Sequence, residues 1–270
     1  MKHSLVLSLL AVSSITPAAY AQDYQPDNLG PDAEEAMPGD SWSLSLGVGG
    51  IYVPEYTGSD DMEFKVLPLF DYRYQMDERS KVYVSTFQGI GYEYQMDSWQ
   101  WGVKANYRGG WDDTDDPLLN GLDDADSTAE LGPYARYSLN PYYSVGVELM
   151  AGLSDNNDGV EGKIDLGYRT RLNERTMVTS DVFLKFAGED YLTQNFGVPA
   201  AKANSQRAAF APDAGFTQAG VGGRVMYNFD QHNSVYVGGN VSTLLGDAAD
   251  SPLTQEEVQI FGLLGYAYRF

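Results

Sequence analysis

From residue 41 to the last residue, apolar and polar positions alternate with a period of two. In the terminal stretch Val258, Ile260, Gly262, Leu264, Tyr266, Tyr268 and Phe270 form one set that is apolar, aromatic or glycine. Gln259, Phe261, Leu263, Gly265, Ala267 and Arg269 form a mixed opposite set. Such a period sends successive side chains to opposite faces of a strand. Trp99, Trp101, Val103, Ala105 and Tyr107 against Gln100, Lys104, Asn106 and Arg108 make the cleanest amphipathic strand. Comparable alternation predicts strands over 41–52, 64–74, 143–154 and 163–172, with further strands fitting 129–139, 176–187, 217–229 and 234–245. No helical periodicity of comparable length competes.

The connections alternate in length. Asn140-Pro141, Asn173 to Arg175 and Asp230 to Asn233 are tight turns, whereas 111–128, 155–160, 188–214 and 246–256 are long. Short turns on one side and long loops on the other are the pattern of an outer-membrane barrel, with the long loops outside. Parity then bears on 81–94. One strand there gives eleven in all and puts the loop 53–62 on the wrong side. A break at Phe87-Gln88-Gly89 gives 81–86 and 89–95 and restores an even count. The expected fold is an all-β transmembrane antiparallel up-and-down barrel of twelve strands, with ten as the alternative.

The amino terminus fits the same address. Lys2 and His3, an apolar run from Leu5 to Val12 and Ala19-Tyr20-Ala21 form a secretory signal peptide over 1–21. Residues 22–40 hold Pro26, Pro31 and Pro38 and six acids, so a disordered acidic periplasmic leader is expected before a barrel over 41–270. No other stretch is long and apolar enough for a membrane helix. Cysteine is absent, so a closed ladder must hold the chain without staples. The formal charge of −21 repels nucleic acid and sits mostly in the loops.

Candidate chemistry is sparse. After signal removal His232 is the one histidine, in a predicted turn without the neighbours a catalytic base needs, so no enzymatic activity is expected. Asp112, Asp113, Asp115 and Asp116, with Asp123, Asp124 and Asp126, crowd one loop and offer hard oxygen ligands. Their spacing is not that of an EF-hand, nor is that of Asp155-Asn156-Asn157-Asp158-Gly159. A solvated acidic loop is expected, with divalent bridging to lipopolysaccharide phosphates as a minor role. No cofactor is expected. Lys65, Arg73, Lys104, Arg108, Arg136, Lys163, Arg169, Arg171, Lys185 and Arg224 fall largely on the polar strand faces, with Asp71, Glu148, Asp165 and Asp181 among them. Two readings stand: a plug of paired charges filling a small lumen, or a narrow anion-preferring pore.

Several separated blocks follow one pattern in order. They are Gly47-Val48-Gly49-Gly50-Ile51-Tyr52-Val53-Pro54-Glu55-Tyr56-Thr57-Gly58-Ser59-Asp60-Asp61 and Leu67-Pro68-Leu69-Phe70-Asp71-Tyr72-Arg73-Tyr74. Further along come Asn195-Phe196-Gly197-Val198, Asp213-Ala214-Gly215, Leu244 to Pro252 and the terminal Tyr268-Arg269-Phe270. Together these blocks resemble the MipA/OmpV family of outer-membrane proteins. The resemblance implies an outer-membrane scaffold that brings a murein transglycosylase together with a penicillin-binding protein. It also implies contacts with outer-membrane lipid and lipopolysaccharide, and use of the barrel-assembly machinery, for which Tyr266, Tyr268 and Phe270 are the expected carboxy-terminal signal. It brings no catalytic residues. A small diffusion channel and a surface adhesin using 111–128 and 188–214 are the competing functions.

Overall fold

Alternating faces allow a sheet to close only if one face meets lipid and the other a filled interior. A computed structural model shows such a closure and describes residues 42–154 and 159–270. The signal peptide, the leader and Asp155-Asn156-Asn157-Asp158 lie outside the described residues. Twelve antiparallel strands form a closed barrel in up-and-down order. They are β1 (Trp42–Pro54), β2 (Met62–Gln75), β3 (Ser80–Ser85), β4 (Gly89–Met96), β5 (Trp99–Arg108) and β6 (Thr128–Ser138). Then follow β7 (Tyr143–Gly152), β8 (Val160–Asn173), β9 (Thr176–Ala187), β10 (Gly215–Asn228), β11 (Asn233–Leu244) and β12 (Val258–Arg269). The twelve-strand expectation holds and the ten-strand alternative falls, because β3 and β4 are separate strands paired Ser85 to Gly89.

Closure is made by β1 against β12, in register from Ser45 opposite Arg269 to Tyr52 opposite Gly262. The backbone N–H of Phe270 extends this seam by donating to the Leu44 carbonyl at 2.9 Å. No strand edge is left open, which is the condition for crossing lipid with strands.

The outward face carries a continuous apolar belt, including Val48, Val66, Val103, Val147, Ile164, Val182, Val221, Val241 and Leu264, all exposed in the isolated chain. The rim holding both barrel ends and the short turns is here termed the terminal rim. A girdle of aromatic pairs surrounds it: Trp99 with Tyr137 at 4.8 Å, Tyr143 with Tyr168 at 5.0 Å, and Tyr268 with Phe270 at 4.9 Å. Amphipathic rings at that level suit a membrane interface. Deleting Phe270 is expected to leave refolding in detergent intact while most of the chain fails to assemble in cells. Heat-modifiable gel mobility of both preparations checks this.

The opposite, loop rim is covered. Two short helices interrupt the long connections, α1 (Glu189–Phe196) and α2 (Gly246–Asp250). The first is favoured by Glu189 and Asp190 in its opening turn, where acids meet the positive helix end, and by Leu192 and Phe196 four residues apart on its buried side. The expectation of uniformly strand-and-loop structure is corrected here: eight and five residues are too few for a helical period to stand out beside strands of up to fourteen.

Candidate functional site: a half-filled lumen

The inward positions do not form one plug of charges. Ile51, Val53, Leu67, Leu69, Met177, Met226, Tyr236, Phe261, Leu263 and Ala267 pack with Phe87 into an apolar core along β1, β2 and β9 to β12. Charged side chains fill the other side, from β2 through β9. Around Ile51 and Val53 of β1, Leu67 and Leu69 of β2, and Phe261 and Leu263 of β12, both faces are largely apolar, one toward lipid and one toward this core.

On the polar side the charges pair, often across an intervening strand. Arg73 donates to both oxygens of Asp71, at 2.8 and 3.0 Å, and to Gln88 at 2.8 Å. Lys81 pairs with Glu93 at 2.5 Å. Lys104 of β5 reaches over β6 to Glu148 of β7 at 2.7 Å. Arg136 of β6 reaches over β7 to Asp165 of β8 at 3.0 Å. That second reach passes above Gly146, where a Cβ would stand 2.5 Å from Asp165 Oδ1 and 3.0 Å from Arg136 Nη2. Gly146→Ala should therefore push the pair apart and cost about 1–3 kcal/mol, the usual range for overpacking. Gly215→Ala, with nothing within 4 Å of its added carbon, should cost far less; denaturant midpoints compare the two.

Nearer the loop rim lies a buried layer. Arg108 donates from Nε to Glu130 at 3.0 Å and from Nη2 to the Gly159 carbonyl at 3.0 Å, and it lies 4.9 Å from the Tyr191 ring centroid. Lys185 pairs with Glu161 at 3.4 Å. Tyr191 belongs to α1, and burial beside Glu161 raises its phenol pKa well above the ordinary value. Gly159 lets α1 approach this closely, since a Cβ there would fall 2.2 Å from the Tyr191 backbone nitrogen.

Above that layer the long connections form a lid. Tyr56, Trp111, Leu119, Leu122, Ala125, Val198 and Leu253 make one apolar cluster, and Ala187, Leu192, Phe196, Leu244 and Ala248 another. Buried Arg207 ties two loops together by donating to the carbonyls of Leu118, of Asn120 at 2.8 Å and of Lys202 at 3.3 Å. Tyr56 donates to the Leu253 carbonyl at 3.0 Å, and burial pushes its pKa up to about 12. The aspartates serve the lid's own backbone: Asp115 accepts from the Asp112 N–H, Asp113 from Gly121, and Asp116 from Leu118 and from Gln255. Burial and the neighbouring Asp115 raise the Asp112 pKa. Among the described residues no three or more histidines or acids are grouped to hold a metal ion.

Below the layer a cavity of about 270 Å³ opens at the terminal rim, between the turns holding Asp97 and Ser98 and those holding Asn140 to Tyr142. Arg73, Lys81, Lys104, Arg136, Lys163 and Arg169 line it, with Glu93, Asp97, Glu148, Asp165 and Asp181. The remaining sequence-predicted charges lie elsewhere. Lys65 sits near the loop rim and pairs with Glu63. Arg171 is exposed toward the terminal rim, and Arg224 is buried on the apolar side near Tyr236. His232 stacks on Tyr268 at 5.5 Å in an exposed turn, its Nδ1 2.8 Å from the Arg269 carbonyl. Sequence reasoning missed the lid anchor Arg207, whose only signal was being one of two cations, with Lys202, in the long loop 188–214.

No curated protein matches the chain. Solved structures of similar outline include the NanC porin, at 7% identity over 83% of this chain and 98% of that chain, with a TM-score of 0.42. A bacterial polysaccharide outer membrane secretin is similar at 9% identity over 84% and 98%, with a TM-score of 0.42. OmpT of Vibrio cholerae, as its loop-deleted variant, gives 11% identity over 86% and 100%, with a TM-score of 0.36. Likeness at these scores carries no argument, and the fold stands on the strand pairing. The family description "MltA-interacting protein MipA" matches residues 46–270, from within the first strand to the last residue. The chain is an outer-membrane β-barrel protein and belongs to the MipA family.

Proposed function

We propose that this barrel is a non-enzymatic membrane anchor and adaptor for peptidoglycan-remodelling enzymes, working from its terminal rim. In this reading a cleaved signal peptide exports the chain, the terminal rim faces the periplasm and the lid faces outward. The observation that carries it is the asymmetry of closure: a packed lid and a buried ion-pair layer at one end, an open cup ringed by short turns at the other. A partner made in the periplasm meets the open end. The family's name supplies the first partner, MltA, and the resemblance noted above supplies a penicillin-binding protein as the second. A diffusion channel fits less well, because Arg108, Glu130 and Tyr191 pack together as a buried layer beneath the lid.

The test is capture of a murein transglycosylase and a penicillin-binding protein on the folded, detergent-held barrel at moderate salt. Retention, lost on substituting the turn residues 139–142, supports the adaptor. Absence of retention with a folded barrel sinks it, and bilayer conductance and loop-dependent attachment then decide between channel and adhesin.

A further inference from the structure

The cup itself has the features of a small-molecule site. Four of its cations, Arg73, Lys81, Lys104 and Arg136, are each paired with an acid. The carboxylate directly opposite Lys163 in the strand register is Glu148, and that carboxylate is taken by Lys104. Among the described residues Lys163 makes no ion pair; its ammonium lies 5.1 Å from the Phe183 ring centroid. The next residue on the same face of β8, Asp165, is held by Arg136 at both oxygens. An ammonium left in this way at the wall of a cavity carries uncompensated positive charge in a setting where Coulomb attraction exceeds its value in bulk water.

Around it the wall is rich in neutral hydrogen-bonding groups: Gln88, Gln95, Gln100, Ser144, Thr179 and Ser180. Hydroxyls and amides of this kind suit a polyhydroxylated ring, which offers donors and acceptors on several sides. The cavity of about 270 Å³ falls just under the roughly 300–1,000 Å³ of sites for drug-sized ligands. That size accommodates a single sugar ring and not a polymer chain.

We propose that the lumen cup binds a small carboxylate-bearing sugar entering from the terminal rim, with its carboxylate on Lys163 and its hydroxyls on the amide and hydroxyl wall. This goes beyond the adaptor reading and does not depend on it.

Isothermal titration of the detergent-held full barrel with D-glucuronate, D-glucose and acetate tests it. Glucuronate should bind at least about tenfold more tightly than either other probe, a tenfold ratio being about 1.4 kcal/mol. Lys163→Gln should remove that preference and Lys163→Arg should retain most of it. Lys65→Gln, outside the cup, should leave binding unchanged. Heat-modifiable mobility verifies that each variant is folded. Glucuronate binding no tighter than glucose or acetate overturns the proposal, as does a folded Lys163→Gln barrel that binds glucuronate like the parent.

Discussion

Arg108→Ala should lower the unfolding free energy of the barrel by about 3–5 kcal/mol, the cost of stranding one member of a buried ion pair. Arg108 and Glu130 are 3% and 4% exposed, so solvent screens neither charge. Removal of the guanidinium leaves the Glu130 carboxylate without its 3.0 Å partner and the Gly159 carbonyl without its donor. It also takes away the cation against which Tyr191 of α1 rests. Two readouts follow. Denaturant titration of the lipid- or detergent-held barrel should show the drop in stability. Limited proteolysis should show new cleavage within 188–214, because α1 has lost its inner contact. Arg108→Met combined with Glu130→Leu should recover most of the stability, since an ion pair replaced as a unit by apolar residues leaves no stranded charge. A double variant as unstable as Arg108→Ala would show that the layer acts through shape and not through charge.

The barrel wall was legible because lipid and lumen impose opposite demands on alternate residues. Trp101, Val103 and Tyr107 could only face outward while Lys104 and Arg108 face inward. Even the break between β3 and β4 followed from parity, although the two strands have only six and eight residues. What the alternation could not convey was the content of the lumen. Ile51, Leu69, Phe261 and Leu263 lie among residues that are apolar on both faces, and a period of two vanishes where both faces are apolar. The partners of the charges were equally hidden. Arg136 reaches Asp165 over a strand because Gly146 clears the way, a fact of register and not of composition. The lid joins residues far apart in sequence, such as Tyr56 with Leu253 and Arg207 with Leu118, so no local pattern announces it.

Arg207→Ala should loosen the lid without opening the barrel. Arg207 is 4% exposed and supplies the donors for three backbone carbonyls on two segments of the lid. An unsatisfied buried acceptor costs about 1–3 kcal/mol, so the closed lid should be disfavoured by at least one such step, roughly a 5- to 150-fold rise in opening. Amide exchange reads this directly at Leu119 and Leu122, whose N–H groups bond to the carbonyls of Asp116 and Leu119 beneath the same cluster. Both should exchange faster by that factor while amides in β5 and β12 stay protected. Conductance should remain near the parent value, because the buried layer of Arg108, Glu130 and Tyr191 still lies beneath the lid. Adding Arg108→Ala to Arg207→Ala should then let ions pass, since lid and layer act in series. Conductance in Arg207→Ala alone would assign the whole seal to the lid and restore weight to a channel reading. A double variant that is folded and still silent would show that the apolar half of the lumen closes the path without either gate.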